Sequence, residues 1–245
     1  MNDLRSSLTL ILCLSLIVIA GLACNSFNRS DEPSEQPSSP LVPSRSSAPE
    51  IGGDYTIAGS NPNGSSYGGS LAVMKRDQVY QFSWTSGNRQ YDGVGVRVEN
   101  TVAVAFSEGS DGKGCGVVLY KIATDGSLDG KSGYWGVNSS ESEKAVRTSG
   151  TDLAGLYNVT GKNTGGGEYK GTLAVNRQGA GYNFQWDAGS SFNGFGIRSG
   201  DKAAVGIGGA KCGFVSYEIK PDGTLDGQWG GQGSTVVGTE VARKR

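Results

Sequence analysis

The feature that most constrains the fold is an internal duplication. The segment Ser66-Tyr-Gly-Gly-Ser-Leu-Ala-Val73 returns as Glu168-Tyr-Lys-Gly-Thr-Leu-Ala-Val175, and Asp125-Gly-Ser-Leu-Asp-Gly130 returns as Asp222-Gly-Thr-Leu-Asp-Gly227. The matching segments are 102 and 97 residues apart in the chain. Solenoid repeats are only about 20 to 50 residues long. The duplication therefore predicts two copies of a small domain, which we place at residues 51–150 and 151–245.

Both copies consist of short alternating segments separated by Gly, Asn, Asp and Ser. Tyr80, Phe82 and Trp84 alternate with polar residues, as in a strand with one buried face. No segment has a sustained apolar period of 3.6 residues, so almost no helix is expected. We predict an all-β fold with two tandem antiparallel meanders or small barrel-like lobes of seven to eight strands each. The alternative is one larger barrel built by both copies.

The first 50 residues have the pattern of an exported lipoprotein. Residues 1–23 contain an apolar run that ends at small residues and is short for a membrane span, as in an export signal. Ala20-Gly-Leu-Ala-Cys24 resembles a bacterial lipobox, which implies lipid attachment at Cys24; an ordinary cleaved signal or an uncleaved anchor is the alternative. Residues 24–50 are rich in Pro and Ser and should form an extended tether. We expect a cell-envelope protein, with the outer membrane favoured.

The composition argues against several functions. The chain has no histidine, which removes Ser-His-Asp and Cys-His nucleophiles and histidine-bound zinc. Its 22 Lys and Arg are balanced by 23 Asp and Glu, so nucleic acid is not an expected partner. The Asp125–Gly130 segment echoes a calcium loop, but Gly136 stands where the bidentate glutamate is needed, and a β-turn is the preferred interpretation. We predict no catalytic residue, cofactor or metal.

Two pairs of equivalent residues are candidates for a structural or binding role. Cys115 and Cys212 could form a disulfide between the lobes in an oxidising compartment, with two buried free thiols as the alternative. Trp84 and Trp186 could line a ligand cavity, although large aromatic side chains more often form the core.

A third pair carries charge. Arg97 and Arg198 end glycine-rich strands and could pair with Glu143 and Glu240 to seal each lobe. The alternative is that the two arginines line a ligand site and bind an anion.

The duplicated pattern of glycine and aromatic residues resembles a family of small exported bacterial proteins. Members of that family are sometimes labelled fibronectin-binding proteins or uncharacterised lipoproteins. The resemblance covers both copies and implies the fold, without implying catalytic residues. In the second copy it runs through Tyr157, Gly161, Asn163, Tyr169, Gly171, Tyr182, Trp186, Gly194, Arg198, Cys212, Tyr217, Asp222 and Gly227.

We therefore expect a lipid-anchored, non-catalytic binding or adhesion module with a macromolecular ligand. Two alternatives stay open: a periplasmic barrel that binds a small ligand, and an inhibitor of a hydrolase. An inhibitor would need a protruding loop that enters an active site, and the variable loops Asn61–Ser66 and Glu108–Gly114 are the candidates.

Overall fold

The computed structural model describes residues 48–109 and 112–245, and every regular element in these ranges is a β-strand. Within these ranges no helix is long and apolar enough to cross a membrane. The predicted export signal 1–23, the lipidated Cys24 and the tether up to residue 47 lie outside the described residues. The expectation of an all-β protein with two eight-stranded lobes is confirmed, and the single larger barrel is not observed.

Each lobe is a closed antiparallel barrel of eight strands. Barrel A closes in the order β1, β16, β15, β14, β5, β4, β3, β2. Its strands are β1 (Gly53–Ser60), β2 (Ser66–Arg76), β3 (Val79–Ser86), β4 (Arg89–Val98), β5 (Thr101–Glu108), β14 (Gly213–Ile219), β15 (Leu225–Gly231) and β16 (Gly238–Lys244).

Barrel B is built from one continuous stretch of chain. It closes in the order β10, β11, β12, β13, β6, β7, β8, β9. Its strands are β6 (Gly116–Ile122), β7 (Leu128–Tyr134), β8 (Glu141–Thr151), β9 (Ala154–Lys162), β10 (Glu168–Gln178), β11 (Gly181–Asp187), β12 (Ser191–Ser199) and β13 (Lys202–Ile207).

The barrels do not follow the boundaries of the two sequence copies, so the prediction of lobes at 51–150 and 151–245 is wrong. Barrel A takes five strands from the first copy and three from the second, and barrel B takes the complementary set. Barrel B is therefore an insertion between β5 and β14 of barrel A.

The tight turn at the junction of the two copies explains this exchange. β8 is the last strand of the first copy and β9 is the first strand of the second, and only Asp152 and Leu153 separate them. A two-residue connection joins neighbouring antiparallel strands, and Thr151 pairs directly with Ala154. Both strands must therefore belong to the same barrel.

The three largest apolar clusters of the described residues stabilise the arrangement. One fills barrel A around Phe82, one fills barrel B around Phe184, and a third lies between the two outer walls. In β5 and β13 almost every side chain is buried, because one face points into a barrel and the other faces the neighbouring barrel. Strands buried on both faces carry continuous small and β-branched residues, as Val102–Ala105 illustrates.

A disulfide joins the two segments that cross between the barrels. Cys115 lies just before β6 and Cys212 just before β14, with Cα atoms 5.8 Å apart. The predicted bridge is thus present, and it connects the two ends of the inserted barrel. The alternative of two free thiols is not observed.

Ion pairs at one edge of the contact also connect the barrels. Glu99, in the turn between β4 and β5, accepts hydrogen bonds from Lys121 of β6 and from Lys202 of β13, the latter at 2.9 Å. These interactions lower the pKa of the Glu99 carboxyl to about 2, with the hydrogen bond from Lys121 as the largest cause. Glu99 therefore acts as an electrostatic link between the two barrels.

We expect this link to make stability depend on pH in the acid range. A carboxyl whose folded-state pKa is lowered contributes its stability above its unfolded pKa near 4.5 and loses it as the pH falls toward about 2. Glu99→Gln should remove that part of the acid dependence, measured by urea unfolding between pH 5 and pH 2. Glu99 is largely exposed, so screening should limit the effect to about 1 kcal/mol.

A matched control is available on the surface of barrel B. Glu168 pairs with Lys162 and both side chains are exposed, without a link between barrels. Glu168→Gln should leave the acid dependence as in the parent protein. An identical pH profile for Glu99→Gln and the parent would contradict the role assigned to Glu99.

Candidate ligand site in barrel A

A buried glutamate lies near one end of each barrel. In barrel A, Glu240 of β16 is 5% exposed and accepts hydrogen bonds from Tyr67, Trp84 and Tyr217. The Tyr67 hydroxyl lies 2.9 Å from Oε2, and the Trp84 indole Nε1 lies 3.0 Å from Oε1. Both carboxylate oxygens are therefore occupied by donors from the barrel wall.

Barrel B repeats this arrangement. Glu143 of β8 accepts hydrogen bonds from Tyr120, from Trp186 at 3.1 Å and from Tyr169 at 2.9 Å. Because both barrels have the same constellation, we interpret it as part of the scaffold. The three hydrogen bonds offset the free-energy cost of burying the carboxylate inside the barrel.

The strand register explains how the tyrosines reach the glutamate. Glu240 is flanked by Gly59 on β1 and by Gly227 on β15, and each glycine is followed on the next strand by a tyrosine. A Cβ at Gly59 would lie 2.5 Å from the Tyr67 ring, and a Cβ at Gly227 would lie 2.4 Å from the Tyr217 ring. The glycines thus leave room for each ring to extend across one strand toward the carboxylate.

The electrostatics of the cluster follow from its burial. Burial raises the pKa of the Glu240 carboxyl, while the hydrogen bonds from Tyr217, Trp84 and Tyr67 oppose that shift. Burial also raises the pKa of Tyr217 well above its usual value, and the charge of Glu240 adds to this effect. Tyr217 therefore stays protonated and remains a donor to Glu240.

Above Glu240, barrel A opens into a cavity of about 230 Å³, which we call the cup. Its walls are mainly aromatic and include the aliphatic Ile57 and Val215, and its polar lining residues besides Glu240 are Asn61, Ser86 and Arg89. Tyr67 and Trp229 meet edge to face, with an angle of 77° between their ring planes, and Trp84 and Phe106 are tilted at 55°. The aromatic residues that line the cup are Tyr67, Trp84, Tyr91, Phe106, Tyr217 and Trp229.

The same end of barrel B has different wall residues. Barrel B has the same glutamate, tryptophan and tyrosines as barrel A. At three neighbouring positions of the strand register, however, its residues differ from those of barrel A. In particular, Phe192 stacks on Trp186 with ring centroids 4.9 Å apart. The three replacements are Phe192 for Tyr91, Ile207 for Phe106 and Ser132 for Trp229.

The structure places the predicted binding residues at opposite ends of the barrels. Trp84 lines the cup and Trp186 occupies the equivalent position in barrel B. Arg97 lies at the far end of barrel A, where it donates to the backbone carbonyls of Ala48 and Pro49 at 2.6 and 2.8 Å. Arg97 therefore holds the end of the predicted tether against the barrel and does not line the cup.

Arg198 has the corresponding position in barrel B. It donates to the carbonyl of Gly200 at 2.8 Å and pairs with Asp152 in the turn between β8 and β9. The prediction that the two arginines pair with Glu143 and Glu240 is wrong, because these glutamates lie at the other end of each barrel and are satisfied by tyrosine and tryptophan.

The Asp125–Gly130 segment forms a turn. The Asp125 carboxylate accepts a hydrogen bond from the backbone N–H of Ser127 at 2.8 Å, and Gly126 has a positive φ of 80°. Asp222 makes the same contact with Thr224 at 2.9 Å. Across the described ranges no group of three or more side chains is arranged to hold a metal ion.

Two signals in the sequence could have identified the cup. Glu143 and Glu240 occupy equivalent positions in the two sequence copies, and each follows a glycine-containing strand at the same spacing. Several of the tyrosine and tryptophan side chains that donate to them lie far away in the chain. Trp229 has Ser132 as its counterpart, and such a difference between otherwise matching copies marks a position that the scaffold does not require.

Comparison with models of known families, with curated proteins and with solved structures finds no match. The resemblance to small exported proteins labelled fibronectin-binding therefore stays a prediction.

Proposed function

We propose that this chain is a non-catalytic binding protein whose ligand site is the cup of barrel A. The observation that carries the proposal is the contrast between the barrels. Both keep the buried glutamate and its three donors, and barrel A adds Trp229 and Phe106 around a cavity of about 230 Å³. A concave, mainly aromatic space with a few polar groups is the usual form of a small-ligand site.

The shape of the cup favours a small ligand over a broad adhesive surface. Its volume lies below the roughly 300 to 1,000 Å³ that is common for drug-sized ligands. The occupant is therefore a single ring or a compact head group. Asn61 places the loop Asn61–Ser66 at the rim of the cup, where it can contact that ligand.

Binding without catalysis agrees with the chemistry of the cup. Both oxygens of Glu240 accept hydrogen bonds from side chains of the barrel wall, which hold the carboxylate in a fixed position. The chain has no histidine to act as a second acid or base. These features support a receptor or carrier.

We also propose that the protein is exported and attached to the envelope through lipid on Cys24. The apolar leader, the lipobox-like segment and the Pro- and Ser-rich tether support this location. The disulfide between Cys115 and Cys212 is suited to an oxidising compartment outside the cytoplasm.

The four tryptophans permit a direct test of the ligand site. Trp84 and Trp229 line the cup, whereas Trp186 belongs to barrel B and Trp135 packs against the cluster between the barrels. In a screen of small aromatic, sugar and ammonium compounds, a ligand should shift the indole N–H resonances of Trp84 and Trp229. The resonances of Trp186 and Trp135 should stay in place.

The variant Trp229→Ser gives barrel A the residue that barrel B has at the same register position. We expect it to weaken binding of such a ligand at least about tenfold, since buried aromatic residues dominate binding sites. Unchanged affinity in Trp229→Ser, or shifts confined to Trp186 and Trp135, would contradict the proposed site.

A further inference from the structure

The wall of the cup has the geometry of an aromatic cage. Tyr91 and Phe106 meet at 86°, Phe106 and Trp229 at 66°, and Trp229 and Tyr67 at 77°. A flat sugar or planar ring is usually held on one exposed aromatic face. Rings set nearly perpendicular to one another instead surround a compact, rounded group on several sides.

Aromatic faces attract cations. The face of a Trp, Tyr or Phe ring carries partial negative charge, and several rings around one cation act together when water is excluded. The cup therefore offers a positive group favourable contacts on more than one wall.

The buried charge at the base of the cup has the complementary sign. Glu240 and Arg89 are the charged residues that line the cavity. Arg89 is mostly exposed and lies 3.6 Å from Glu108, so its charge is directed toward another carboxylate at the rim. Glu240 is nearly fully buried and is satisfied by neutral donors alone. The interior of the cup is thus favourable for a cation.

The hydrogen bonds of Glu240 also select the type of cation. A primary ammonium has three N–H donors that need acceptors once water is removed. In the cup Oε1 of Glu240 already receives hydrogen bonds from Trp84 and Tyr217, and Oε2 receives one from Tyr67, which leaves about one acceptor site for three N–H donors. A quaternary ammonium has no N–H donor, so it can enter an aromatic space without bringing in a donor of its own that needs an acceptor.

We propose that the cup of barrel A binds a quaternary ammonium group on a small molecule, held by Trp229, Phe106, Tyr91 and Tyr67 with Glu240 beneath it. This inference rests on the proposed function, because it specifies the ligand of the same site. Barrel B, with Ser132 and Ile207 at two of the corresponding positions, lacks these cage residues.

The test compares choline with its neutral isostere 3,3-dimethylbutan-1-ol, using the full-length protein and calorimetry. The two compounds have nearly the same shape and differ in charge. We expect choline to bind at least about tenfold more tightly, as cation–π contacts in a desolvated site predict. Glu240→Gln should weaken choline binding several-fold and leave the isostere unchanged, while the matched variant Glu143→Gln in barrel B should alter neither.

Since Glu240→Gln could disturb folding, Trp229→Ser provides a second variant and should abolish the preference for choline. Equal affinity for choline and the isostere would overturn the assignment of a cation but leave the cup as the ligand site. The same holds if sugars or neutral rings shift the Trp229 resonance and choline does not. If no compound shifts the Trp84 and Trp229 resonances, the proposed function itself fails.

Discussion

Residues 112–209 produced alone should fold into a barrel, whereas either sequence copy produced alone should not fold as a monomer. All eight strands of barrel B lie between Gly116 and Ile207, so this fragment contains every pairing partner needed for closure. Residues 48–150 contain β1 to β5 of one barrel and β6 to β8 of the other. In the whole protein these strands belong to two sheets, and each sheet needs strands of the second copy to close, so the fragment lacks the partners that β5 and β6 have there.

Urea unfolding followed by circular dichroism, together with the dispersion of amide resonances, would measure this difference. The isolated barrel should unfold cooperatively, although at lower urea than the whole protein. Its outer face, including Val117 and Leu119, loses the apolar contact with barrel A. The fragment 48–150, of nearly equal length, is the control.

The contradictory result would be cooperative unfolding of monomeric 48–150. It would mean that the five strands β1–β5 and the three strands β6–β8 close within one copy. Any folded form of that fragment should instead be a dimer in which two chains exchange strands.

Removing the disulfide should produce the second large effect. Cys115 and Cys212 are 97 residues apart, and the bridge closes a loop that contains the whole of barrel B. Restricting the unfolded chain to a loop of this length is worth about 4 to 5 kcal/mol in the chain-entropy model. The double variant Cys115→Ala and Cys212→Ala should lose about that much free energy of unfolding.

Chemical denaturation with and without a reducing agent would test this value. Reduction of the parent protein should lower its stability by a similar amount, and the double variant should not respond to the reducing agent. A loss below about 1 kcal/mol in the double variant would show that the bridge adds little to the contacts between the barrels.

The amino-acid pattern was sufficient for the fold class and for many strand positions. Tyr80, Phe82 and Trp84 alternate with polar residues in the sequence, and all three are buried in the apolar cluster that fills barrel A. The disulfide between Cys115 and Cys212 could also be predicted from the sequence, because equivalent positions in two copies can meet at the approximate twofold axis that relates the copies.

The residues that form the cup could be predicted only in part from the sequence. Trp84 was a candidate from its repeated position, but Glu240 was assigned a different partner. Its three donors come from β2, β3 and β14, which lie up to 173 residues away in the chain. Local pattern cannot show which distant side chains meet inside a closed barrel.

The β-strands, the turns and the inward-facing residues follow from local sequence, because they depend on neighbouring residues and on alternation with a period of two. Which strands share a barrel depends instead on pairing between distant parts of the chain. β14 is the copy of β6, so the edge of β5 could pair with either of them in an equivalent register. The short turn at Asp152 and Leu153 keeps β8 beside β9, and the exchange of strands between the two copies follows from that constraint.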